Sequence, residues 1–189
     1  ALANEFADYC RAESIDINEV TDCAATKWNF NDVRPGMVGG HCIGVDPYYL
    51  LNRAAIKGVD LPLVSQSRKT NEKKVTSVAN RILDIVSEKE SAKILLLGFS
   101  YKKNCADIRN TKVAEIIKIL EARGIDVECY DPLVNIEQVK REYSISLLPT
   151  KPDLRLYDSI IIMVNHSEFW EMQNSNKFDE KVIHSRNFL

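Results

Sequence analysis

The regular alternation of strand-length apolar runs with helical spacing in the second half of this chain limits its fold more than any other feature. Residues 93–98, Lys-Ile-Leu-Leu-Leu-Gly, suit a central parallel strand. Helical spacing follows over residues 111–123, with Val113, Ile116, Ile117 and Leu120 on one face and Gly124 as the stop. Further strands are predicted at residues 126–130, 159–164 and 181–184, with a helix over 136–142. Such alternation specifies an α/β fold, a Rossmann-like, doubly wound parallel sheet. Ligands of these sheets bind beyond the carboxyl ends of the strands, which nominates residues 99–110, Asp131, 165–168 and 185–187. The dinucleotide fingerprint is missing. A G-x-G-x-x-G turn should follow the first strand, with an acid about 20 residues further on. Here Gly98 stands alone and Asp131 lies past that spacing. The sheet reads as a nucleotide fold without an NAD site of its own.

Residues 1–90 follow a different pattern. Leu2, Phe6 and Cys10 mark a helical stripe, and a short second helix is predicted over 16–25. A Gly- and Pro-rich loop covers residues 28–42. Asp46-Pro47 predicts a helix start, with Asp46 as cap and Pro47 in the first position, and Gly58 ends that helix. Another helix is expected over 68–88, burying Val75, Val78, Ala79, Ile82, Ile85 and Val86. Its basic residues Arg68, Lys69, Lys73 and Lys74 read as a solvated face, or else as a lining for nucleotide phosphates. The expected division is an all-α segment, 1–90, followed by an α/β domain, 91–189. Because the first helix opens at full periodicity with no cap residue, the chain reads as a fragment of something longer.

Composition removes several functions. Lys plus Arg number 25 against 27 Asp plus Glu, a net charge of -2, so no basic excess exists to hold a nucleic-acid backbone. The longest apolar runs are too short to cross a bilayer, and no secretory leader pattern opens the chain. A cytoplasmic protein with no nucleic-acid or membrane partner is expected. Five cysteines without a C-x-x-C predict reduced thiols, four of them as small buried hydrophobes.

The fifth, Cys42, lies in Gly39-Gly40-His41-Cys42-Ile43-Gly44-Val45-Asp46-Pro47. Adjacent glycines let backbone approach a ligand closely. A thiol just ahead of a helix N-terminus is favoured as thiolate by the positive end of the helix dipole. Asp46 could then orient a water or take a proton. The same residues also fit a packing cysteine and a plain helix cap. No third ligand accompanies His41 and Cys42, so no metal site is expected.

These motifs resemble a known family. Thr26-Lys27-Trp28-Asn29-Phe30 and the stretch from Arg34-Pro35-Gly36-Met37-Val38 through Pro47-Tyr48-Tyr49-Leu50 are similar to the UDP-glucose/GDP-mannose dehydrogenases. The nearest branch acts on UDP-N-acetylhexosamines in Vi-type and capsular polysaccharide pathways. The likeness continues through Gly98-Phe99-Ser100-Tyr101-Lys102-Lys103-Asn104, Asp107-Ile108-Arg109-Asn110, Asp131-Pro132 and Asn165-His166-Ser167-Glu168-Phe169. It implies oxidation of a sugar C6 alcohol to a carboxylate in two steps, with two NAD+ and a covalent cysteine intermediate. By the same resemblance Cys42 is the nucleophile and Asp46 helps activate water. Gly36, Val38 and Gly39 wrap the sugar and diphosphate, Tyr101 and Lys102 bind UDP, Arg186 contacts substrate, and Arg109 reaches toward NAD. In the family, the NAD-binding domain precedes the matched region, as do a lysine and an asparagine that assist catalysis, so the chain as given is expected not to turn over alone. The opening helix corresponds to the family's dimer interface, which implies a homodimer. UDP-glucose enzymes typically carry Phe-Pro-Lys-Asp after the cysteine. Here Ile43-Gly44-Val45-Asp46 lacks that lysine and points to an N-acetylhexosamine. UDP-glucose and GDP-mannose remain alternative substrates, and a non-catalytic nucleotide-binding or assembly module and a thiol redox protein are the readings outside this class.

Overall fold

The computed structural model describes residues 1–86, 92–169 and 181–184. Helices α1 (Leu2–Ala12), α2 (Ile17–Ala25), α3 (Asp46–Ile56) and α4 (Pro62–Val86) precede the sheet. The remainder runs β1 (Lys93–Leu97), α5 (Val113–Glu121), β2 (Asp126–Tyr130), α6 (Ile136–Tyr143), β3 (Ser159–Ile162) and β4 (Val182–His184). The sheet is parallel throughout, in the order β2-β1-β3-β4. Ile94 pairs with Val127 on one side and Ser159 on the other, so β1 is central. This is the α/β architecture expected from the alternation. Ile94, Leu95 and Leu96 are fully buried, each side chain stabilising the fold by about 1.5–3 kcal/mol.

Helix α4 joins the two regions and begins earlier than the spacing predicts, at Pro62, where a proline fits a helix start. Its second half packs Val75, Val78, Ala79, Ile82 and Val86 into the core under the sheet. Its first half corrects the sequence reading. Lys69 and Lys73 are exposed, as a solvated face requires, but Arg68 and Lys74 are only 5% and 1% exposed. Lys74 Nζ lies 2.9 Å from Asp8 on α1, and Arg11 and Arg81 share the same carboxylate. Burial pulls the Lys74 ammonium's pKa down, against the opposing pull of Asp8.

Helix α1 also turns a different face inward. Asn4, Ala7 and Cys10 are buried, whereas Leu2 and Phe6 of the predicted stripe are exposed, as is Tyr9. The cysteine expectation holds for Cys10 and Cys129, which are buried. Cys23 is exposed and Cys105 half-buried, and all five thiols are free. Among the described residues, no helix is long and apolar enough to cross a membrane. No group of three metal-ligating side chains forms among them either.

Candidate active site

After β1 the chain forms β2 on one side and later β3 on the other, so the crevice between β1 and β3 is the sheet's topological switch point. A cavity of about 470 Å³ opens there. Gly98 directly follows β1 with φ +91, and a Cβ at that position would lie 2.6 Å from the carbonyl oxygen of Val164, which lines the cavity. The missing side chain lets the ends of β1 and β3 approach. Tyr101, Lys102 and Lys103 form one wall, Lys112 at the start of α5 another, and Asn165 follows β3. Pro35, Met37 and Gly39 close the crevice from the helical region.

The loop beyond β1 is held by a buried polar network. Asp131 accepts from the Phe99 and Ser100 N–H groups at 2.7 and 3.0 Å, and from Leu133 N–H at 2.9 Å. Burial pushes its carboxyl up, but hydrogen bonds led by His166 prevail and hold its pKa below 3.8. Asn104 N–H donates to His166 Nδ1 at 2.9 Å, so the ring proton sits on Nε2, 3.0 Å from Asp131 Oδ2. Ser100 Oγ, also near Nε2, donates to the Lys102 carbonyl at 3.0 Å. The trio has the composition of a hydrolase triad without its chemistry. Ser100 is fully buried, and the imidazole has no free lone pair to take its proton. Its effect is to hold the segment carrying Tyr101 and Lys102. Thr111 closes the loop by donating to the Phe99 carbonyl at 2.6 Å.

The cysteine segment is anchored at both ends by helices. The buried Asn4 side chain pairs with the backbone of Gly36, accepting from its N–H at 2.9 Å and donating to its carbonyl at 3.0 Å. Asn4 also donates to Asn71 of α4 at 3.1 Å. At the other end, Arg68 donates to the Ile43 carbonyl at 3.3 Å and stacks over the Tyr48 ring at 5.5 Å. Cys42 is exposed, and its carbonyl accepts from the N–H groups of Val45 and Asp46 at 3.0 and 2.8 Å. The thiol-bearing residue therefore begins the turn that leads into α3. Asp46 is the first helical residue rather than the cap. Val45 takes the cap position, and no side chain caps the helix.

Of the predicted site residues, Gly39, Tyr101 and Lys102 line the crevice. Gly36 and Val38 belong to the same loop but not to the lining, and Cys42 and Asp46 lie further along it. Arg109 is fixed by Asp107, with contacts at 3.0, 3.0 and 2.6 Å, yet its side chain remains 57% exposed. Asp107 raises the guanidinium's pKa most, with smaller contributions from Tyr101 and Cys42, which places that cation in the electrostatic reach of the thiol. The guanidinium in turn holds Asp107 at about 2. Tyr101 beside it raises the pKa of the Lys102 ammonium. Arg186 lies outside the described residues, as do residues 185–187 of the nominated strand ends. The sequence reading does not single out Lys103 and Lys112 as cavity residues, although α5 starts at the nominated loop. It also misses Asn4, which looks like an ordinary polar residue on a helix.

A parallel sheet with a lysine-lined crevice at its switch point, closed by a glycine-bearing loop that runs on to an exposed cysteine, has the form of a nucleotide-binding domain. Residues 95–189 match the UDP-binding domain of the UDP-glucose/GDP-mannose dehydrogenase family and residues 1–73 match its central domain, and the chain belongs to that family. It is 40% identical over 180 residues to the UDP-N-acetyl-D-glucosamine 6-dehydrogenase of Pseudomonas aeruginosa, covering 93% of this chain and 42% of that protein. The enzyme of the same name from Salmonella typhi is 38% identical over 176 residues, covering 91% and 41%. Among solved structures, the UDP-D-ManNAc dehydrogenase of Pyrococcus horikoshii superposes with a TM-score of 0.77 at 28% identity, covering all of this chain and 44% of that one. The chain thus spans about two fifths of the relatives it matches.

Proposed function

We propose that the protein containing this chain is an NAD-dependent UDP-N-acetylhexosamine 6-dehydrogenase, supplying a uronate for surface polysaccharide. One observation carries the reading. The loop that closes the lysine-lined crevice, at Pro35, Met37 and Gly39, is the loop that bears Cys42. A nucleotide sugar held by its diphosphate is thereby brought toward a thiol. The two bacterial relatives named as UDP-N-acetyl-D-glucosamine 6-dehydrogenases support the substrate class.

In this reading Lys102, Lys103 and Lys112 neutralise the diphosphate, Tyr101 packs beside it, and the segment with Gly36, Val38 and Gly39 wraps the sugar. Arg186 is assigned a substrate contact by resemblance alone. The two hydrides that leave C6 would go to two NAD+ bound in turn, one hydride to each. Within this chain the exposed, Asp107-braced Arg109 offers the matching cation for this cofactor. The loop after β1 has no glycine fingerprint and is filled by the Asp131 network, so most of the NAD site is assigned to a domain outside this chain.

Cys42 works between the two oxidations. Its thiolate sulfur adds to the C6 aldehyde carbon, and the carbonyl oxygen takes a proton to give a thiohemiacetal. Loss of that hydroxyl proton and of the second hydride leaves a thioester. Water, activated by Asp46, attacks the thioester and expels the Cys42 thiolate, releasing the carboxylate. The division into a helical part, 1–90, and a UDP-binding part, 91–189, belongs to the proposal. So do the cytoplasmic location and a homodimer through α1, where Leu2, Phe6 and Tyr9 present an apolar face to a second copy.

The test uses the full-length protein. NADH formation is followed with UDP-N-acetylglucosamine, UDP-N-acetylmannosamine, UDP-N-acetylgalactosamine and UDP-glucose in parallel. Two NADH per sugar with an acetylated substrate, and loss of product in Cys42→Ala, are expected. Uronate formation by Cys42→Ala would sink the nucleophile assignment. Turnover of UDP-glucose alone would overturn the substrate class.

A further inference from the structure

The middle of the cysteine segment is held by the α/β domain, at a residue that the proposed function leaves unassigned. Gly40 donates its N–H to the Arg109 carbonyl at 3.2 Å, and its own carbonyl accepts from Asn110 Nδ2 at 3.3 Å. Both polar groups of a backbone unit close to Cys42 are therefore tied to residues 109 and 110. Packing repeats the message. A Cβ on Gly39 would meet the Asn110 carbonyl oxygen at 2.9 Å, and one on Gly44 would meet Asn110 Nδ2 at 2.2 Å. A Cβ on Gly40 would meet the Tyr101 ring at 3.0 Å. Three glycines around Cys42 thus leave space filled by Tyr101 and Asn110. Asn110 has φ +53, a left-handed conformation that asparagine tolerates better than most residues. Its neighbour Thr111 lines the crevice and closes the loop onto Phe99.

We propose that Asn110 is a positioning residue that couples occupation of the nucleotide crevice to the placement of Cys42. The path runs from Tyr101 and Thr111 in the crevice, through the Asn110 amide to the Gly40 carbonyl, and along the backbone to the thiol. UDP in the crevice bears on Tyr101 and Thr111 of the loop that the Asp131 network already holds, and that loop in turn positions the cysteine segment. The inference rests on the functional reading above.

The experiment uses the full-length enzyme with two variants. Asn110→Gly keeps the left-handed backbone and removes the amide. Asn110→Asp keeps the shape but sets a carboxylate against the Gly40 carbonyl. UDP affinity is read by calorimetry, turnover as separate kcat and KM values, and the Cys42 thiol by its iodoacetamide alkylation rate with and without saturating UDP. In the parent, UDP should change that rate. In both variants UDP affinity and KM should hold, kcat should fall roughly 10- to 100-fold, as misplacement of a reacting group predicts, and the UDP effect on alkylation should vanish. Three results overturn the proposal: unchanged kcat in both variants, no UDP effect on alkylation in the parent, or UDP affinity falling in step with kcat, which marks a merely structural role. Parent enzyme that binds no UDP would fail at the functional reading itself, before any variant is made.

Discussion

Along α4 the buried side chains change character at Lys74. Before it, Arg68 and Asn71 are polar and aimed, one at the Ile43 carbonyl and the other at Asn4, and Lys74 itself meets Asp8. After it, Val75, Val78, Ala79, Ile82 and Val86 form a plain apolar stripe under the sheet. The two halves do different work. Apolar burial is non-directional and supplies most of the stability. Buried hydrogen bonds add modest net stability but are costly to misplace, so they fix geometry. The half that packs the core holds the domain together, and the half beside the cysteine segment sets where that segment lies.

Substitutions in either half of α4, and in the α/β domain, put this division to the test. The largest loss is expected from Asp131→Ala in the α/β domain, which strips acceptors from the Phe99, Ser100 and Leu133 N–H groups and from His166. About 4 kcal/mol of unfolding free energy should go, read by urea denaturation. Ile82→Ala, in the apolar half of α4, should cost about 3 kcal/mol by the same measurement. Lys74→Met, in the polar half, should change stability by less than about 1 kcal/mol, because the new side chain stays apolar and buried while Asp8 keeps Arg11 and Arg81. A Lys74→Met loss equal to that of Ile82→Ala would erase the distinction between the halves. The smallest effect concerns acid. A carboxyl depressed below 3.8, as in Asp131, contributes stability that is complete above that value and is lost as pH falls through the native pKa. Below about pH 4 the parent's urea midpoint should fall more steeply than that of Asp131→Asn.

The same contrast decides what the sequence makes legible. The strands and α5 stand out because a buried parallel strand must be apolar and a helix stop must be flexible, as Leu95 and Gly124 illustrate. Cys42 is nominated by its place between the Gly39-Gly40 pair and a helix start. Lys74 and Arg68 do not stand out, because a buried charge has the same letter as a solvated one. The partner that explains Lys74 is Asp8, and it comes from another helix. Asn4 is hidden for the same reason, since its pairing with Gly36 is a fact of tertiary structure. Asp46 misleads in the opposite sense. It is a good capping residue that lands one position inside the helix, because the Cys42 carbonyl already receives the first N–H groups of that turn.

The anchoring of the cysteine segment limits how such proteins can recombine. Its contacts lie on α1, α4 and the loop after β1, far apart in the chain but adjacent in space. A chimera joined between two relatives near residue 90 would leave the three glycines on one side of the crossover and Tyr101 and Asn110 on the other. Such an exchange succeeds only where both parents bring the same residues to that contact. The geometry of the segment therefore belongs to its surroundings, and transplanting it alone into another scaffold would carry the thiol without that geometry.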